Sequence, residues 1–108
     1  MNRRVVITGL GAVSPFGLGS SVLWEGVKNG RSAIRPLTLF DVEQYPVRFG
    51  GEVPDFDPLA HFAKKEARHL DRVTQFALLC ADEAFADSKL DLDTVDRTRV
   101  GAIVGSGI

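Results

Sequence analysis

The residues of this chain whose types could do chemistry are one cysteine, Cys80, two histidines, a Gly9-x-Gly11 pair and a basic run from Lys64 to Arg72. Nucleophilic cysteines need a lowered pKa, from a helix N-terminus or a nearby cation. Cys80 falls mid-helix beside Ala77, Ala81 and Ala84, which supplies neither, so it reads as core packing. His61 and His69 are eight residues apart. On one helix that spacing separates them by about 12 Å, too far to share a metal. No carboxylate or cysteine completes a ligand set, and no metal or cofactor is expected. A dinucleotide fingerprint would want a third glycine at position 14, where Ser14 stands, and a helix opening at once. Pro15 and Gly17 continue the loop instead, so the glycines read as a tight turn after a buried strand. Lys64, Lys65, Arg68, His69 and Arg72 recur at intervals of three, four and seven, on adjoining faces of a helix. The formal charge is +2 over residues 61–72 and −5 over residues 82–96. Two readings stay open: a solvated face, or a docking patch that steers an acidic partner.

The elements that must position these residues follow from periodicity and punctuation. Val5-Val6-Ile7 is consecutive and apolar, and predicts a strand over Arg4–Thr8 covered on both faces. A Gly/Pro-rich loop runs to Gly17. Ser20 or Ser21 is the expected N-cap of a helix to about Asn29, with Gly30 as its stop. Pro36, Pro46, Pro54 and Gly50-Gly51 break the next stretch into loops, with a short strand expected near Val47–Val53. A basic helix is expected over Leu59–Leu70, then a long helix capped by Asp71 and running to about Ser88. A last strand, Arg99–Val104, enters Gly105-Ser106-Gly107-Ile108.

The long helix carries Val73, Ala77, Leu78, Cys80, Ala81, Ala84 and Phe85 on one broad arc. Its other arc carries Arg72, Gln75, Asp82, Glu83 and Asp87, together with Phe76 and Leu79. A helix apolar on one face and partly apolar on the other is surrounded by protein. Two strands and three helices do not suffice to cover it, so the chain is expected to be a piece of a larger fold, with residue 108 a boundary.

Composition narrows the function classes. The chain is 44% hydrophobic and 25% charged with a net charge of −1, which does not suggest nucleic acid as a partner. A lone cysteine excludes an internal disulfide and fits a reducing compartment. No apolar run approaches the roughly 18–20 residues of a membrane span, and Thr8-Gly9 cuts the first apolar run too short for a signal peptide. A cytoplasmic, soluble protein with no membrane association is expected.

Four segments, in order, carry a resemblance. They are Arg3-Arg4-Val5-Val6-Ile7-Thr8-Gly9-Leu10-Gly11 with Ser14-Pro15-Phe16-Gly17; Trp24 with Gly30-Arg31-Ser32; Lys64-Lys65-Glu66-Ala67-Arg68; and Arg99-Val100-Gly101-Ala102-Ile103-Val104-Gly105-Ser106-Gly107-Ile108. Together they resemble the start of the elongating β-ketoacyl-acyl carrier protein synthases, over all 108 residues. The resemblance implies an α/β fold, the N-terminal part of the thiolase-like five-layer α-β-α-β-α arrangement, of which residues 1–108 would supply part of the first half. It implies a homodimer and a decarboxylative condensation of an acyl-enzyme thioester with malonyl-carrier protein in fatty acid biosynthesis. The family's nucleophile and two histidines lie downstream of residue 108; Cys80, His61 and His69 match none of them, so no catalytic residue is assigned within this chain, and the piece alone is expected to be inactive.

Two further implications concern binding. The family's contacts with acyl carrier protein fall on Lys65, Arg68 and His69, the last at a position where relatives often have lysine. Its acyl-pocket lining falls on Ile108, as in the type II synthases that elongate longer chains. Two alternatives remain at this point: a polyketide ketosynthase or its chain-length partner, and, from another class, a non-catalytic module that binds the carrier protein.

Overall fold

A computed structural model describes residues 2–107. The local signals of the chain explain its helices. The Asp71 carboxylate accepts a hydrogen bond from the Thr74 amide at 2.9 Å and so caps the long helix, which runs Arg72–Ser88 and ends with Lys89 in the left-handed conformation. The first helix, α1, spans Ser20–Lys28, and Gly30 takes a φ of +63° just beyond it, the backbone that favours glycine at a helix end. The stop is where the sequence puts it.

The start of α1 differs from expectation. Its N-cap is Gly19, with no side-chain cap of its own. A carboxylate from far along the chain does that work instead: Glu83 Oε1 accepts from the Ser20 amide and hydroxyl, each at 2.8 Å.

Before α1, the loop expected up to Gly17 folds into a tight hairpin. Strands β1 (Val13–Ser14) and β2 (Gly17–Leu18) pair antiparallel with Val13 opposite Leu18. A second two-residue pair joins β3 (Arg35–Pro36) to β4 (Phe49–Gly50), which places a strand inside the expected 47–53 window. Glu52 braces that turn by accepting from the amides of Thr38 and Leu39 at 3.0 Å and from the Thr38 hydroxyl at 2.9 Å.

The helix expected over Leu59–Leu70 is two pieces. Asp57 and Pro58 start a single 3-10 turn over Pro58–Ala60. Ala63, at φ −61° and ψ 147°, is extended and breaks the path before α2 (Lys64–His69). The long helix, Arg72–Ser88, is therefore α3.

The strands expected at Arg4–Thr8 and Arg99–Val104 are not formed. Residues 3–8 have no regular structure, and Arg97–Arg99 is a 3-10 turn followed by irregular chain. A strand exists only when a neighbour accepts its hydrogen bonds, and among the described residues neither segment is paired in a sheet. Val5 and Ile7 are accordingly 93% and 83% exposed.

The packing gathers around α3, on three sides. Gly9 and Gly11 lie directly on its backbone: a Cβ at Gly11 would sit 1.9 Å from the Cys80 carbonyl oxygen, and one at Gly9 2.2 Å from that of Ala84. On another face Phe76 meets Phe56 edge-on at 4.9 Å, and the Arg72 guanidinium lies over both rings at 5.0 and 5.2 Å. On the third, Ala102, Val104 and Ser106 border an open apolar cleft with Val73, Ala77, Leu78 and Ala81. The helix is touched on three sides but not covered: Val73, Leu78 and Phe85 remain 47%, 39% and 43% exposed.

The surroundings are thin. Among the described residues no hydrophobic side chain is fully buried. The radius of gyration is 17.2 Å, against about 13 Å for a compact domain of this length. The accessible surface is 9061 Å², against roughly 5,900 Å² for a folded monomer of this mass. About 3,000 Å² of surface that a self-contained domain would bury is therefore open to solvent.

Candidate functional site

Six residues are too few for a helix to persist by its own hydrogen bonds, so the basic face of α2 exists because its neighbours hold it. Glu66 in its first turn suits the positive end of the helix. Its last turn is tied to α3 by Gln75, one of the most buried polar side chains at 5% exposure. The Gln75 amide donates to the carbonyls of Ala67 at 3.2 Å and Leu70 at 3.1 Å. Ala67 and Leu70 are half-buried, while Lys64, Lys65, Arg68 and His69 are exposed.

Residues three and four apart share a helix face, so Lys65, Arg68 and His69 project together. Among the described residues the ion pairs are Lys28 with Glu25 and Arg97 with Asp93; neither draws on α2. The basic side chains are thus available to an outside carboxylate or phosphate. Arg72, counted by its spacing with the basic run, belongs instead to the packing. It lies over the aromatic rings and donates to the Val53 carbonyl at 3.4 Å.

The remaining candidates are placed as follows. His61 stacks on Phe56, centroids 5.9 Å apart and planes at 10°, in the turn before α2, whereas His69 is in the helix. Cys80 is half-buried on α3. Burial pushes its thiol pKa up; the Val13 main chain offsets part of this, and the Glu83 charge adds to it. That direction is the reverse of what a nucleophile needs. Ile108 lies outside the described residues.

Three residues do structural work that their place on the polar arc of α3 concealed. Gln75 holds α2. Glu83 joins α1 to the Gly-rich segment, since its second oxygen accepts from the Ala12 amide at 2.9 Å. The hydrogen bonds from Ser20 and Ala12 hold its carboxyl below the usual range. Asp87, one turn on, accepts from the Leu10 amide at 2.9 Å. The legible signal was a pair of acids at i and i+4 on a helix facing a glycine loop, whose amides would otherwise lack partners.

Comparison with known proteins gives this arrangement its context. Residues 2–108 match the family model described as "Beta-ketoacyl synthase, N-terminal domain". A Staphylococcus aureus protein named 3-oxoacyl-[acyl-carrier-protein] synthase 2 is 44% identical over 107 residues, 99% of this chain and 26% of its own length. A Streptomyces violaceoruber protein provisionally named granaticin polyketide beta-ketoacyl synthase 1 is 44% identical over 109 residues, covering 100% of this chain and 26% of that protein. Among solved structures, the ishigamide ketosynthase/chain length factor superposes with a TM-score of 0.75 at 36% identity, over 86% of this chain and 23% of its own. The chain thus spans about a quarter of the length of the curated relatives it matches, and its mixed α/β elements are part of the larger, thiolase-like fold. The chain belongs to the β-ketoacyl synthase family, as that family's N-terminal domain.

Proposed function

We propose that the protein carrying this chain is a 3-oxoacyl-[acyl-carrier-protein] synthase of fatty acid biosynthesis. It condenses an acyl group held as an enzyme thioester with malonyl-carrier protein, releasing carbon dioxide. The observation that carries the reading is the match of residues 2–108 to the family, with relatives named for that activity at 44% identity. Residues 1–108 are then the N-terminal portion of the first α/β half, and they lack the thiolate nucleophile and the histidines that assist decarboxylation. The chain alone does not condense. The complete protein works as a cytoplasmic homodimer; no helix among the described residues is long and apolar enough to cross a membrane.

Within this scheme α2 is the dock for acyl carrier protein. What supports it is the projection of Lys65, Arg68 and His69 from one exposed face, with no ion-pair partner among the described residues. Ile108 lines the far end of the acyl pocket. A second reading is favoured by the relatives named for granaticin and ishigamide: a polyketide ketosynthase or its chain-length partner, with the same docking face. The residue at the nucleophile position separates synthase from chain-length partner.

The test is charge reversal at Lys65 and Arg68 to glutamate in the full-length protein, with the KM for malonyl-carrier protein as readout. Exposed charge contacts are worth about 0.2–1 kcal/mol each, roughly doubled by reversal. For the two residues together that is about 0.8–4 kcal/mol, so the KM should rise about 4- to 700-fold at low salt, and the loss should shrink as added salt screens the field. An unchanged KM at low salt would return the basic run to a solvated face.

A further inference from the structure

We infer that Gln75 is a positioning residue that sets the orientation of the basic face of α2, an inference that rests on the reading of α2 as the carrier-protein dock. The geometry is specific. A glutamine amide nitrogen has two protons, and the two contacts of Gln75 Nε2 go to carbonyls on either side of the last turn of α2, those of Ala67 and Leu70. Carbonyls in a final turn have no partner within their own helix. Gln75 supplies one from the adjacent helix, and it is 5% exposed while doing so.

The turn held in this way carries Arg68 and His69, with Lys65 one turn earlier. Ala67 and Leu70 are half-buried, and apolar burial, being non-directional, fixes no rotation of α2 about its axis. The paired hydrogen bonds are directional and do fix it. Without them a six-residue helix frays from its C-terminal end, and Arg68 and His69 lose the shared direction that a carrier protein meets. Gln75 itself stays out of reach of any partner. It acts only through α2.

The experiment uses the full-length protein with Gln75→Met, which keeps length and volume but removes both donors, and Gln75→Glu, which presents an acceptor to the two carbonyls. Each is assayed with malonyl-carrier protein and with the malonyl thioester of N-acetylcysteamine, which has no carrier body. The expected result is a rise of about 3- to 10-fold in the KM for the carrier-borne substrate, with kcat and the small-thioester kinetics unchanged. That difference should collapse at high salt, where the field is screened. Amide hydrogen exchange at residues 67–70 should speed up in both variants. A fall in both substrates alike would mean that Gln75 supports the fold only, and would overturn the inference, as would kinetics equal to wild type. The Lys65→Glu/Arg68→Glu protein runs alongside. If it loses carrier affinity while the Gln75 variants do not, the dock stands and the inference falls. If it keeps full affinity, the docking reading fails and the inference with it.

Discussion

Two segments of this chain read almost alike and end differently. Val5-Val6-Ile7-Thr8-Gly9-Leu10-Gly11 and Ala102-Ile103-Val104-Gly105-Ser106-Gly107 are both β-branched runs entering paired glycines. In the first, the glycines sit on the α3 backbone, and the amides of Leu10 and Ala12 are held by Asp87 and Glu83. In the second, a Cβ added at Gly105 or Gly107 would meet nothing within 4 Å, and Ile103 is fully exposed. The apolar run preceding each is open to water. The difference shows which part of the fold is local: a glycine loop can be fixed by one helix, whereas a strand needs strands beside it.

The comparison breaks most sharply at Gly11. Its added Cβ would meet the Cys80 carbonyl oxygen at 1.9 Å, and main-chain atoms cannot turn aside. Gly11→Ala in the full-length protein should therefore cost about 1–3 kcal/mol or more, read as a drop in denaturant midpoint. Gly30→Ala, with open space around it but φ +63°, should cost only about 1 kcal/mol. Equal losses would mean that close approach to α3 is not what Gly11 provides.

The end of the second segment offers a functional contrast. Under the proposed activity, Ile108→Phe should shorten the longest acyl primer accepted while sparing short ones. Overfilling a packed site costs typically 1–3 kcal/mol, or roughly 5- to 150-fold in the rate ratio of short to long primers. Competition between the two primers measures it. An equal fall for both would make Ile108 a support of the fold, and no change would remove it from the pocket.

A smaller effect sharpens the account of the first segment. Glu83 accepts from the Ala12 amide and from both donors of Ser20; Glu83→Leu leaves those donors unmet and should cost about 1–2 kcal/mol, near the low end for a charged acceptor because the site is part-exposed. The hydrogen bonds hold its carboxyl below the ordinary value of 4.5. Its contribution is thus complete above that value and lost as the pH falls below it, through the depressed folded-state pKa. Unfolding curves of wild type and Glu83→Leu should converge in that acid range. Curves that stay equally far apart down to pH 3 would exclude the carboxylate as the source.

What was legible in the sequence was local in origin. Asp71 and Gly30 mark the start of α3 and the end of α1 because a cap and a left-handed stop act within a few residues. Helical spacing alone put Lys64, Lys65, Arg68 and His69 on adjoining faces; singling out Lys65, Arg68 and His69 came from the resemblance. The N-cap of α1 was not legible, because Glu83 comes from 63 residues away. The break at Ala63 was not legible either, since no proline or glycine marks it. Arg72 looked like one more charge in a basic run, and only the rings beneath it reveal its packing role. The two apolar runs read as strands because their composition is that of buried strands; composition does not supply the neighbours.

The central claim is that residues 1–108 carry the first elements of a larger core, not a core of their own. Thermal unfolding of the isolated 108-residue chain, followed by circular dichroism with its mass checked by sedimentation, tests this most directly. The account predicts a shallow, non-cooperative loss of signal, with self-association through the roughly 3,000 Å² of excess surface. A monomer that unfolds in one sharp transition would contradict it, and would favour a self-standing module that binds the carrier protein.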